Sequence, residues 1–218
     1  MQDTPALAPA LRTPRKNNPE KTRQAILAAA VAEFADLGLS GARVDAIAER
    51  THTSKRMIYY YFGSKEQLYL TVLEKLYSDV RGNEAELPLD RLPPLEAIRT
   101  LAEFLFEHHR SHDDFIRVVS IENIHRGRHL AQSETISSLN SSALEALRRI
   151  LVRGEASGDI RSGLDAVDVH LLMCSFCFYR VSNRHTFGRI HDIDMEAPAV
   201  LRRHKTMIGD AMVRYLQP

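Results

Sequence analysis

Tryptophan is absent from the 218-residue chain, glycine numbers only 10 and cysteine only two. So few glycines argue against a protein of short strands and tight turns, and point to a mostly helical chain. Two cysteines exclude a disulfide framework and suit a reducing cytosol. No apolar run approaches the roughly 20 residues of a membrane span, and the first residues lack the hydrophobic core of an export signal. A cytoplasmic protein with no membrane partner is therefore expected. Neither sign of charge dominates, the formal net charge being +1, so any affinity for nucleic acid must come from local charge. What is present, 44% hydrophobic and 26% charged residues, is enough to bury a core without staples, in one domain or two small ones.

Four of the nine prolines (Pro5, Pro9, Pro14 and Pro19) fall in the first 19 residues beside Arg12, Arg15 and Lys16. No helical or strand period survives that spacing, so residues 1–19 are read as a disordered basic arm. Helical periodicity starts at Pro19, capped by Asn18, with Ile26, Ala30, Val31 and Phe34 on one face and Gly38 as the stop. A short helix over Val44–Arg50, a break at Thr51–Thr53 and a third helix from Ser54 to about Tyr61 follow. Phe62-Gly63 closes that helix, and Ser64 caps a long fourth one with Leu68, Val72, Leu73, Leu76 and Val80 inward. Two short helices around a tight break within a three-helix unit describe a helix-turn-helix.

The segment Ser54–Lys65 holds three basic residues, three tyrosines and no acid. A recognition helix enters the major groove with its N-terminal residues, where Lys55 and Arg56 stand. Tyrosine hydroxyls donate to phosphates while their rings pack on the unit. Lys65 lies in the first turn of the next helix, where backbone N–H groups also favour phosphate. The DNA-contact candidates are Arg43, Lys55, Arg56, Met57, Tyr59, Tyr60 and Lys65. Ile58, Tyr61 and Phe62 are assigned to packing.

These residues carry a resemblance. Ala25-Ile26-Leu27, Phe34, Gly38, Val44, Ile47-Ala48, Ser54-Lys55, Ile58 to Phe62, Ser64-Lys65 and Leu68 are similar in type and spacing to the N-terminal domain of TetR-family transcriptional regulators. The resemblance implies an all-α homodimer on a palindromic double-stranded operator, with a larger C-terminal domain for effector binding and dimerisation. Two positions depart from the family pattern. His52 stands where glycine is usual in the break, and either tolerates positive φ, as histidine does better than most residues, or sits in a different turn. Arg43 stands where threonine often caps the second helix. The domains are then the arm 1–19, a helix-turn-helix unit 20–65 and an effector and dimer domain 66–218. The helix over 64–80 connects the last two and is the natural lever.

Past a polar linker over Arg81–Leu92, helices are expected from Pro94 to about His109, Asp113 to about Arg126 and Ser133 to Ala156. Two more run from Asp165 to about Thr186 and from Pro198 to Tyr215. Apolar residues on more than one side of the last two predict an intermolecular four-helix bundle. Residues 1–80 carry a net +2 and the remainder −1, so only the first part leans toward DNA. A mixed polar and aromatic lining is expected from Phe104, His108, Phe115, Arg117, Glu122, Asn123, Phe176, Tyr179 and Arg180, a set suited to a small anionic or carbonyl-bearing ligand. A sparser likeness of Leu92–Phe115, Glu122-Asn123 and Ser175–Asn183 to the sensor domain of the pyrimidine-utilisation regulators RutR and relatives implies a planar heterocycle or aromatic acid. Glu122, His125 and His129 have a spacing that can hold a divalent metal, although Gly127 interrupts their helix, so a metal-sensing regulator is the rival. Cys174 and Cys177 lie in an apolar run and are read as buried thiols. There is no GxSxG elbow and no base beside a nucleophile, so neither enzyme activity nor a cofactor is expected, and a helical enzyme or carrier is the remote rival.

Overall fold

A computed structural model describes residues 18–218 and, among them, ten α-helices and no strand. Most of the basic arm thus lies outside the described residues, while Asn18 caps the first helix and Pro19 opens it. The helices are α1 (Pro19–Gly41), α2 (Val44–Arg50), α3 (Lys55–Phe62), α4 (Lys65–Ala85), α5 (Pro94–Ser111), α6 (Asp113–Ile124), α7 (Glu134–Ser157), α8 (Ala166–Ser182), α9 (Arg184–His191) and α10 (Pro198–Leu216).

Local chemistry sets most of these ends. Asn18 Oδ1 accepts from the backbone N–H of Glu20 at 3.1 Å and Lys21 at 3.3 Å, and Pro19 opens the helix where its missing N–H costs nothing. Gly38 breaks α1 at φ 65°, before a last turn to Gly41. A Cβ on Gly38 would approach Ile121 Cγ2 to 3.3 Å, so this corner also needs the bare backbone to meet α6. Ser54, Ser64, Ser133 and Asp165 each accept from a first-turn N–H of the helix they precede. Gly158 ends α7 in the left-handed conformation.

Three boundaries differ from the sequence reading. The helix read as ending near Val80 continues to Ala85, so Arg81 is helical rather than linker. The helix expected up to Arg126 stops at Ile124, and the chain turns through Arg126 and Gly127, both at positive φ. The helix expected up to Thr186 ends at Ser182. There Asn183 Nδ2 donates to Tyr179 O and Ser182 Oγ, and the separate helix α9 begins. Asparagine competes with the helix ladder in this way.

The core forms two clusters. One joins α1–α4 to α6 through Ile26, Phe34, Ile47, Ile58, Leu68, Tyr69, Phe115, Ile116 and Val118. The other joins α5, α7, α8 and α10 through Ile98, Leu101, Leu105, Leu147, Ile150, Val169, Met173, Ile208 and Met212. By length and composition α1 reaches a mean hydropathy of 1.2, enough to cross a membrane. Its Ile26, Ala30 and Phe34 are nevertheless fully buried in the first cluster, as in the core helix of a folded unit. The apolar faces expected at the bundle interface divide. Of the expected residues, Val181, Ile208 and Met212 are buried within the chain, whereas Leu171, Leu172 and Tyr215 are exposed, and Tyr179 and Met207, outside that expectation, are exposed beside them.

Candidate nucleic-acid interface and effector cavity

The helix-turn-helix is assembled around one buried acid. Glu33 on α1, 1% exposed, accepts the backbone N–H of Arg43 through Oε1 at 3.0 Å. It also pairs through Oε2 with Arg50 Nη2 at 3.1 Å. Glu33 thereby serves the start of α2 in place of a side-chain cap, which Arg43 does not supply. Sequence reading missed Glu33, because a single acid among alanines gives no hint of a contact ten residues away. The break closes through Thr53 N–H donating to Ala48 O at 3.0 Å, and of the two alternatives His52 takes positive φ, at 51°.

Ser54 Oγ accepts from Met57 N–H at 3.3 Å and starts α3. Ile58 and Phe62 turn inward at 1% and 6% exposure. Arg43, Lys55, Arg56, Tyr59 and Tyr60 are exposed, and Met57, Tyr61 and Lys65 are half-buried. Tyr60, at 77% exposure, packs edge-on against Tyr61 with centroids 5.4 Å apart. Lys55 Nζ sits 3.2 Å from Asp45 Oδ2, a contact between two half-exposed side chains that is worth little in water. Gly63 takes φ 76°, and a Cβ there would lie 2.0 Å from Gln67 Oε1. That tight corner places Lys65 in the first turn of α4, where Ser64 Oγ accepts from Gln67 N–H at 3.1 Å. The surface is thus a basic and tyrosine-bearing ridge on a packed three-helix base.

A cavity of about 380 Å³ lies among α4, α5, α6, α7 and α8. Its aromatic and apolar wall includes Tyr77, Phe115, Val119 and Phe178, and its polar groups include Arg81, His109, Asn123, Asn140 and His170. Of the nine ligand-site residues read from the sequence, Phe115 and Asn123 line this cavity. The others are placed differently. Arg117 is exposed, donates through Nε to Ala35 O at 2.8 Å and pairs with Asp36 at 3.2 Å, tying α6 to α1. Glu122 is a buried fastener rather than a lining group. It accepts the N–H groups of His129 at 2.7 Å and Leu130 at 3.0 Å, and the Tyr69 hydroxyl at 3.2 Å. Burial works to raise the Glu122 carboxyl, but these donors outweigh it and hold the group below the ordinary carboxylate value.

Arg180, 3% exposed, donates to Met195 O, reaches His204 and Glu196 and lies over the Phe106 ring, so it pins α8 to the chain before α10. Phe176 packs in the second cluster with its ring edge-on to His204, and Tyr179 is exposed beside Phe187. Phe104 and His108 pack together, and His108 stacks on His112 at 4.0 Å. Burial and the neighbouring His112 and His109 push the His108 imidazole down to about 4. The missed cavity groups include Tyr77, Arg81, His109, Asn140, His170 and Phe178, and Arg81 stands 59 or more residues from the Asn140 and His170 it meets. Only folding brings them together.

The metal trio does not assemble. Glu122 and His129 meet at 3.1 Å, but the carboxylate is consumed by backbone and tyrosine donors, and His125 is exposed at the end of α6. Among the described residues no three His, Cys, Asp or Glu side chains are placed to hold an ion. Burial pushes the Cys174 and Cys177 thiols up to about 11 and about 12, which keeps them protonated and unreactive.

Fold and site together define a helix-turn-helix DNA-binding protein with a cavity-bearing helical domain. Residues 26–72 match the pattern described as bacterial regulatory proteins, tetR family, and residues 94–212 that of the tetracyclin repressor-like C-terminal domain. The chain belongs to the TetR family of transcriptional regulators. It is 34% identical over 203 residues to the HTH-type transcriptional repressor NicS of Pseudomonas putida KT2440, covering 93% of this chain and 96% of that protein. The regulator RutR of Escherichia coli K12 is 33% identical over 100 residues, 46% of this chain and 47% of RutR. The solved structure of the regulator SCO4942 from Streptomyces coelicolor superposes with a TM-score of 0.69 at 26% identity, over 90% of this chain and 99% of that one. FadR of Bacillus subtilis, solved with stearoyl-CoA, shares the fold at a TM-score of 0.64 and 19% identity, over 87% of this chain and 97% of that one. The protein is accordingly a DNA-binding transcriptional regulator, in a family whose members act as dimers and respond to small molecules.

Proposed function

We propose that residues 20–65 grip the operator, that residues 66–218 bind effector and a second subunit, and that effector in the α4–α8 cavity releases the DNA in the cytoplasm. In this reading Lys55 and Arg56 face base edges from the start of α3. Tyr60 and Lys65 hold phosphates, with Arg43, Met57 and Tyr59 beside them. The exposed apolar residues of α8 and α10 form an isologous dimer contact. The effector is a small planar molecule, a heterocycle or aromatic acid, in keeping with the cavity size and its aromatic walls.

The observation that carries the proposal is the double use of α6. Phe115, Val119 and Asn123 face the cavity. Arg117 and Glu122 on the same helix bind Ala35 O on α1 and Tyr69 on α4. A ligand that shifts α6 therefore moves both helices that frame the DNA unit, a coupling usually worth about 1–3 kcal/mol. In the dimer the two recognition helices must sit about 34–36 Å apart to enter successive major grooves.

Selection of binding sites from random duplexes by the purified protein tests this directly. A palindrome with half-sites one turn apart supports the reading. Absence of any sequence-selected duplex ends it.

A further inference from the structure

We propose that Arg81 reads the effector and that the group it reads is a carboxylate, taken in exchange for Glu84. The inference rests on the cavity being the effector site and adds the chemical class and the trigger.

Arg81 stands in the wall between two spaces. On one side is the cavity of about 380 Å³. On the other is a groove of about 510 Å³ between α4 and α7, lined among others by Gly82, Leu139 and Ala143. The Arg81 and Glu84 side chains are 10% and 7% exposed and form an ion pair through Nη1. Nε and Nη2 both donate to Asn140 Oδ1, at 3.1 and 2.8 Å, and Nη2 lies 3.5 Å from His170 Nε2. Asn140 and His170 thus hold one edge of the guanidinium and leave the Nη1 side to its acid.

Three features make that acid exchangeable. Among the described residues, Arg81 alone lines the cavity with a permanent charge, since His109 and His170 are held neutral by burial, His170 down to about 4. Glu84 lines the groove and not the cavity, so it has water to turn toward when displaced. A ligand carboxylate offers Nη1 the same charged acceptor that Glu84 does, so the buried cation is never left unpaired. Tyr77, Phe115 and Phe178 supply faces for a ring on the cavity side. The exchange breaks a contact within α4, the helix that starts at Lys65 in the DNA unit.

Calorimetric titration of the full-length protein with matched monocyclic pairs, benzoate against benzamide and salicylate against salicylamide, decides it. At least one acid is expected to bind about tenfold or more tightly than its amide. Arg81→Gln should erase that preference. Glu84→Gln should strengthen acid binding by weakening the competitor, a gain that a merely structural role would not produce. Acid and amide binding equally, neither of them binding, or Glu84→Gln weakening the acid would each overturn the carboxylate assignment. Phe115→Ala tests the underlying reading separately. If it leaves the affinity of every bound ligand unchanged, the cavity is not the site, whatever Arg81 does.

Discussion

The Tyr69 hydroxyl donates to Glu122 Oε2 at 3.2 Å inside the protein, linking the first turns of α4 to the end of α6. Both residues are buried, Tyr69 completely, and the Phe34 ring of α1 stands edge-on to Tyr69 at 5.1 Å. Glu122→Ala should strand the N–H groups of His129 and Leu130 as well as the tyrosine, and lower stability by about 3–5 kcal/mol. Chemical denaturation measures it. A loss below about 1 kcal/mol would mean that these donors find water or other acceptors.

Contacts to phosphate and to base edges leave different signatures. Lys65→Ala should weaken operator and scrambled duplex alike, and reduce the salt slope by about one unit for each phosphate no longer neutralised. Arg56→Ala should cost about 1–3 kcal/mol on the selected operator and relax preference at one base position in each half-site. Titrations at several salt concentrations separate the two. If Lys65→Ala alters sequence preference without altering the slope, the roles are reversed.

Asp45→Asn should strengthen DNA binding modestly, because Lys55 now shares its charge with Asp45. The exposed pair is worth about 0–1 kcal/mol, so the gain should not exceed a few-fold. The same titrations read it, and weaker binding would show that Asp45 orders Lys55 for the groove.

Acid should unfold the protein through its buried histidines. His108 is 4% exposed, and among the described residues neither ring nitrogen has a hydrogen-bond partner. Burial comes first among the causes that lower it from 6.5 to about 4, with His112, His109 and Arg81 acting the same way and Asp79 opposing. Between those values the unfolded chain binds more protons than the folded one. The contribution is therefore whole above about pH 6.5 and is lost as pH falls toward 4, at up to about 1.4 kcal/mol per unit. His108→Gln should flatten unfolding free energy measured from pH 7 to pH 5, by at most that slope and chiefly below pH 6.5. An unchanged slope would assign the acid sensitivity to other groups.

The dimer contact is testable by charge. Leu172 and Met207 are 43% and 44% exposed. Leu172→Glu with Met207→Glu should give a folded monomer in sedimentation at micromolar concentration, while the native chain sediments as a dimer. A native monomer would remove the proposed interface.

What could be read before folding was whatever depends on near neighbours. Asn18, Ser54, Ser64 and Asp165 cap helices because the N–H groups they satisfy lie two or three residues away. Gly38 announced its positive φ as a helix stop, and His52 only through the family resemblance, since it stands where glycine is usual. The cavity was poorly legible because its polar groups meet only in three dimensions. Arg81 looked like linker because it opens the polar stretch to Leu92 that holds Pro88, yet its contacts with Asn140 and His170 help to hold the extra turn. Arg117 and Arg180 fitted the description of pocket cations equally well, and folding uses both to fasten helices. Residue type cannot distinguish a cation that greets a ligand from one that clamps a neighbour.

The interleaving along α6 has an evolutionary consequence. Positions 115, 119 and 123 meet the cavity, while 117 and 121 meet α1, Ile121 lying against the bare Gly38. The two sets share one helix but not one residue. Substitutions on the first set leave the Arg117 and Ile121 contacts with α1 in place, but Phe115 and Val119 also pack in or against the core shared with the DNA unit, and only Asn123 of the three stands outside it. A lineage can therefore change its chemical stimulus most freely at position 123, one helical turn beyond the two cavity positions that the core also uses.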